Sequence, residues 1–211
     1  MTTTGWTELT TETELRALLG TPSGGAVRKE RDHLHDLDLA WIAASPFLLM
    51  ATSAADGTCD VSPKGDPAGF VHVLDDRTLV VPERPGNRRA DGYRNILDNP
   101  QVGLLFMIPG RGDTLRVNGR ARLVSDAPFF DAMVVKGHRP VLAVVVDIDE
   151  VFHHCQKAFL RSRLWEPESW DPDGRVPRRA VIARELEPSG KTLEELDEYY
   201  GPQYLDGLYR A

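Results

Sequence analysis

The sequence predicts a mainly β fold of α+β type, with antiparallel strands and flanking helices. Three observations carry this. Hairpin turns recur in series, at Asp56-Gly57, Asp75-Asp76 and Pro109 to Asp113. Residues 114–124 alternate strictly, with Leu115, Val117, Gly119, Ala121 and Leu123 on one face and Arg116, Asn118, Arg120 and Arg122 on the other. No strand–helix–strand rhythm of a parallel sheet occurs. The chain has 211 residues, enough for one domain with appendages.

Taken in order, Thr11 and Glu14 form a capping box that opens a helix, which Gly20, Pro22 and Gly24-Gly25 stop. Leu34, Leu37, Trp41 and Ile42 predict a second helix over about 30–44, closed by Pro46. His33 and His35 near its start read as surface residues. Residues 47–53 form an apolar first strand, 58–62 return from the Asp-Gly turn, and Ser62-Pro63-Lys64-Gly65-Asp66 ends that return. Residues 70–74 and 78–81 make the next hairpin. Pro85 to Arg89 is a loop entering a short helix that Asn99-Pro100 ends. Residues 101–108 and 114–124 complete six strands.

A continuous β-branched run at 141–148 predicts a further, central strand. Before it, Ser125 to Pro128 starts a helix with Phe129, Phe130, Met133 and Val134 as its buried side. After it, Asp149 caps a helix on which Lys157 and Arg161 share a face, and His153-His154, adjacent on that helix, cannot share a metal. Residues 170–179 read as loop, and Thr192 with Glu195 opens an acidic helix to Tyr200. The expected organisation is a helical segment 1–45, a barrel domain 46–165 and a tail 166–211 packed on the barrel or on a partner.

Charge is unevenly distributed. The chain carries 25 Lys+Arg against 32 Asp+Glu, a net charge of −7, which argues against nucleic acid as a partner. Between Arg84 and Arg122 the sign reverses, with eight arginines, no lysine and three aspartates. Arginine's planar fork matches phosphate oxygens, so this window points to a phosphate ligand. Asn87, Arg88 and Arg89 precede a helix start, where free backbone N–H groups favour anions. Only Cys59 and Cys155 are present, read as small packing residues in a reducing compartment. No apolar run is long enough for a membrane span, and no signal region is evident, so a cytoplasmic protein is expected. Metal-binding, nucleophile-elbow and P-loop signatures are absent, and no metal is expected.

The ordered series Ser62-Pro63-Lys64, Asn87-Arg88-Arg89, NILDNPQVGLLF at 95–106 and TLRVNGRARLV at 114–124 resembles the pyridoxamine 5′-phosphate oxidase-like split-barrel family. The resemblance spans roughly residues 40–165. It implies a six-stranded antiparallel split β-barrel, a homodimer, and FMN bound between subunits with the redox chemistry on the flavin rather than on a side chain. It places Asn87, Arg88 and Arg89, assisted by Lys64, at the phosphate. Arg116 and Asn118 fall near the phosphate or ring, the backbone of Val61, Ser62 and Pro63 at the ring's polar edge, and Trp165 near the partner's flavin. Lys157, Arg161 and Arg163 are candidates for a small-molecule substrate. Residues 150–165 resemble an uncharacterised branch, and the ending YLDGLYRA lacks the Arg/His motif of the true pyridoxamine phosphate oxidases. Two alternatives remain: a deazaflavin-dependent reductase on the same barrel, and a non-enzymatic flavin- or haem-binding module.

Overall fold

The computed structural model describes residues 5–171, 173–187 and 189–209. The chain divides into two compact units, one ending at Glu30 and one beginning at Arg31. The first holds α1 (Glu12–Leu19) and α2 (Gly24–Arg28). Thr11 and Glu14 make the reciprocal capping box, and Gly20, at φ 73°, closes α1. No residue of α1 is buried. The glycine pair expected only to stop α1 instead begins α2.

The second unit is built on one antiparallel sheet. Its strands are β1 (Phe47–Ser53), β2 (Cys59–Gly65), β3 (His72–Asp75), β4 (Thr78–Pro82), β5 (Gln101–Met107), β6 (Thr114–Val124) and β7 (Ala143–His154). The order is β2-β1-β5-β6-β7-β4-β3. The strand count is seven rather than six, because the apolar run from 141 is a full member, pairing β6 on one side and β4 on the other. Side chains from β1, β4, β5, β6 and β7, among them Leu48, Val81, Phe106, Val117 and Val146, belong to one buried cluster. A flat sheet would hold such strands apart, so the sheet curls around its core as a split barrel.

Strand alternation divides β7 between two cores. Val144, Val146 and Ile148 face the interior, while Ala143 and Val145 pack outside with Val80, Phe130 and Met133. The latter pair sits on a 3-10 helix, Pro128–Met133, that covers this part of the sheet. It is shorter than expected, and Val134 is exposed rather than buried. A bulge interrupts the β6–β7 register at Asn118/Gly119. A Cβ on Gly119 would lie 2.1 Å from the Asp147 carbonyl oxygen, so only glycine fits there.

Three helix expectations change. α3 spans Asp36–Ala44 rather than starting near 30, because Arg31 is drawn into a bridge with Val151. His35 caps α3, its ring accepting from the Leu37 N–H at 3.2 Å. Asp149 caps no helix: β7 runs on to His154, so His153 and His154 point to opposite faces of a strand. His153 meets the buried Asp38 carboxylate at 3.0 Å, which also holds Arg31 at 2.5 Å. α5 (Lys157–Ser162) follows, then α6 (Arg179–Leu186) and α7 (Leu193–Tyr199), which share a small core of Ala180, Ala183 and Leu196. Thr192 and Glu195 form the expected capping box on α7. Cys59 and Cys155 are exposed, contrary to the packing role expected of them. No helix among the described residues is long and apolar enough to cross a membrane.

Opposite the barrel core, the outer sheet face carries Phe47, Leu49, Leu105 and Met107, all half-buried, in adjoining rows of β1 and β5. The same rows continue through Pro63 and Val61 on β2 and through Arg116 and Asn118 on β6. Val61 is 62% exposed.

Candidate functional site

β2 lies at one end of the sheet and, among the described residues, pairs only with β1. Its strand character extends through Pro63 and Lys64 to Gly65, further than the sequence implied. An edge strand tolerates Pro63, because the N–H that proline lacks belongs to no ladder. α4 (Asp91–Asp98) packs across β1 and β2. Buried Asn95 anchors it, donating to the Thr52 hydroxyl at 3.1 Å and the Asp60 carboxylate at 2.8 Å. Gly92 brings its backbone close enough that a Cβ would sit 3.3 Å from Thr52 Oγ1.

The turn entering α4 is unusual. Arg88 and Ala90 are both left-handed, at φ 60° and 59°, although neither is glycine. Left-handed non-glycine residues cost about 1–3 kcal/mol each and concentrate where a ligand is held. Ala90 occupies the N-cap position and has no side chain to satisfy the first-turn N–H groups. Asn87 Oδ1 accepts instead from the Arg89 N–H at 3.1 Å, which fixes the turn. The start of α4 is thus left with backbone donors, a partial positive charge and two arginines beside it.

β2 and this turn line a single cleft of about 560 Å³. It gathers Val61, Ser62, Pro63, Lys64, Asn87, Arg88 and Arg89. Arg89 is exposed and pairs with Asp91 at 2.7 Å, which raises its pKa further above the ordinary arginine value. Among the described residues no carboxylate pairs with Arg88. Lys64 is mostly buried and held by Glu83 at 2.7 Å and by the Tyr93 hydroxyl, which itself donates to Glu83. The sequence reading missed Glu83 and Tyr93, and nothing in their spacing marks them as partners of a lysine on another strand. Arg84, at the head of the turn, is a structural residue. It pairs with the buried Asp66 at 2.5 Å and donates to the Met133 carbonyl at 2.8 Å. Tyr209 donates its phenol hydrogen to the same Asp66, and that hydrogen bond, with burial, raises the Tyr209 pKa.

The other candidate residues lie elsewhere in the chain. Arg116 and Asn118 both engage Glu150, at 3.1 and 3.0 Å, and Arg116 covers the Phe152 ring. Trp165 donates to the Arg111 carbonyl at 2.7 Å and stacks on Phe159. Arg163 pairs with Glu166 and Glu168, while Lys157 and Arg161 are exposed on α5. No cluster of metal-ligating side chains occurs among the described residues.

A family model described as pyridoxamine 5′-phosphate oxidase matches residues 34–155, from the approach to α3 to the end of β7. The chain belongs to the pyridoxamine 5′-phosphate oxidase family. For this family member the match takes in the whole sheet and the cleft, and leaves α5 to α7 outside. Similar solved structures include a putative pyridoxamine 5′-phosphate oxidase from Lactobacillus delbrueckii, 26% identical over 58% of this chain and 95% of its own, with a TM-score of 0.46. An FMN-binding protein from Syntrophomonas wolfei is 10% identical over 68% of this chain and 96% of its own, with a TM-score of 0.44. HupZ from Group A Streptococcus is 18% identical over 57% of this chain and 93% of its own, with a TM-score of 0.46. No curated protein matches the sequence.

Proposed function

We propose that this protein is an FMN-dependent oxidoreductase acting on a small organic substrate, with the cofactor seated in the cleft between β2 and the turn before α4. One observation carries the reading: the open strand edge at 61–64 and the arginine turn at 87–89, distant in sequence, line one cleft. FMN has a polar-edged ring at one end and a phosphate at the other, and the cleft is lined both by a strand edge and by an arginine turn. When bound, FMN supplies the chemistry, exchanging a hydride with the substrate. Asn87, Arg88, Arg89 and the uncapped N–H groups of α4 hold the phosphate. The unpaired backbone edge at Val61, Ser62 and Pro63 meets the ring's polar edge. Lys64 reaches cofactor oxygens by exchanging its Glu83 contact, so its contribution is smaller than that of Arg88.

The reading includes a homodimer. The outer rows of Phe47, Leu49, Leu105 and Met107 form an apolar sheet face beside the cleft, which a second copy covers. Arg116, Asn118 and Trp165 then serve the partner's cleft rather than their own. Lys157 and Arg161 remain candidates for the substrate.

The test is purification followed by denaturation and chromatography of the released chromophore. A yellow protein releasing FMN is expected. A colourless protein that takes up no added FMN sinks the proposal, and a deazaflavin spectrum moves it to the other cofactor.

A further inference from the structure

A second cavity, of about 590 Å³, shares Glu83, Arg84, Pro85, Gly86 and Arg88 with the first as a common wall. Its other walls come from Gly137 to Val141 and from Tyr209. Pro85, Pro140 and Val141 make it largely apolar, and Val141 is 79% exposed at its rim. The Tyr209 ring stacks on His138, with centroids 6.0 Å apart, and closes one side.

The charged groups in this lining are nearly all engaged. Glu83 holds Lys64, Arg84 holds Asp66, and Arg139 holds Asp126 and Asp131. Arg88 is the exception among the described residues, and its guanidinium carries five donors, enough to serve two anions. An apolar cavity with one unanswered cation matches a ligand with an apolar body and one acidic group. A sugar or a polyanion would leave its hydroxyls or further charges against proline and valine, where their desolvation is uncompensated.

We propose that this cavity is a binding site for a small apolar carboxylic acid, whose carboxylate pairs with Arg88 while its body lies against Pro85, Pro140 and Val141. The site adjoins the cleft of the FMN reading and shares with it the wall from Glu83 to Arg88, so that Arg88 faces both ligands.

The probe is 2-naphthoate, a fluorescent apolar acid, with 2-naphthamide as its uncharged counterpart. The whole protein should bind the acid at least ~10-fold more tightly than the amide, the scale of one charge-assisted hydrogen bond. Val141 is exposed, so its replacement leaves the fold intact, and two replacements of opposite charge separate shape from electrostatics. Val141→Glu should weaken 2-naphthoate ~10-fold or more, and Val141→Lys should keep or strengthen it. Arg88→Gln should abolish the preference for acid over amide. Equal binding of acid and amide, equal effects of the two Val141 variants, or no binding of the acid would each overturn the proposal. If the acid binds as described to a protein that takes up no FMN, the cofactor reading falls and this site stands.

Discussion

Removing Arg88 or Arg89 tests the phosphate turn directly. Both side chains are exposed, so their loss costs the fold little. A hydrogen bond to a charged group contributes about 1.5–3 kcal/mol, or ~10- to 150-fold in affinity. The structure ranks the two. Arg89 must loosen its 2.7 Å pair with Asp91 to meet a phosphate, which subtracts from its contribution. Among the described residues Arg88 has no such carboxylate to release. Arg89→Ala is therefore expected near ~10-fold weaker FMN binding and Arg88→Ala nearer ~100-fold. The assay is flavin fluorescence quenching by titration, run in parallel with riboflavin, which has the same ring and no phosphate. Riboflavin affinity should change less than ~2-fold in either variant. Arg111→Ala, at the β5–β6 hairpin tip and paired with Asp113, is the control and should affect neither ligand. The two variants need not add, since the proposed site has both arginines on one phosphate. Equal losses for FMN and riboflavin would refute the phosphate role and leave the arginines as supports of the turn.

Three further outcomes are expected. Gly119→Ala drives a methyl into the Asp147 carbonyl at the β6 bulge, and should lower Tm by ~6–12 °C for a loss of about 3 kcal/mol; an unchanged melting curve would contradict the bulge geometry. Leu105→Glu places a charge on the apolar outer sheet face, and light scattering should then find monomer, against the dimer proposed above for the parent chain; a dimeric variant would move the interface elsewhere. Burial pushes the Asp38 pKa up, but Arg31, the His35 N–H and His153 together outweigh it, so the folded value lies below the ordinary one. Its stabilisation is complete above the unfolded pKa of about 4 and lost as pH falls through the lower folded value. Asp38→Asn should cost about 3–5 kcal/mol at neutral pH by leaving Arg31 unpaired, and less in strong acid; a loss independent of pH in urea titrations would count against this.

The sheet was legible in the sequence because strand faces write themselves in period two. β1 and β6 run over the residues expected of them, and β5 departs by one. Helix ends were legible where a side chain makes the cap, as at Thr11 and Thr192. What the residues from Asp149 to His154 would do was not, since Asp149 serves a strand bulge as readily as a helix start and only the pairing with β6 decides. In the cleft, seven residues chosen from sequence come together because two short contiguous motifs, 61–64 and 87–89, supply them. The Glu83–Tyr93 clamp on Lys64 and the Asp66–Arg84–Tyr209 contact depend on residues brought together from separate segments, and no local pattern records such a meeting.

Pro63 has one further consequence. An unpaired β2 edge is also a template on which any extended chain in a crowded solution can add itself as another strand. A proline in the middle of that edge denies a donor to the incoming ladder, and Lys64 beside it adds a charge that discourages stacking of like copies. A flat ring system needs only a few of the edge's groups and can take them without meeting the gap, whereas a peptide needs the whole row. A residue that suits the flavin contact proposed above also disfavours strand addition, and Pro63→Val should raise aggregation on storage even where folding is unharmed.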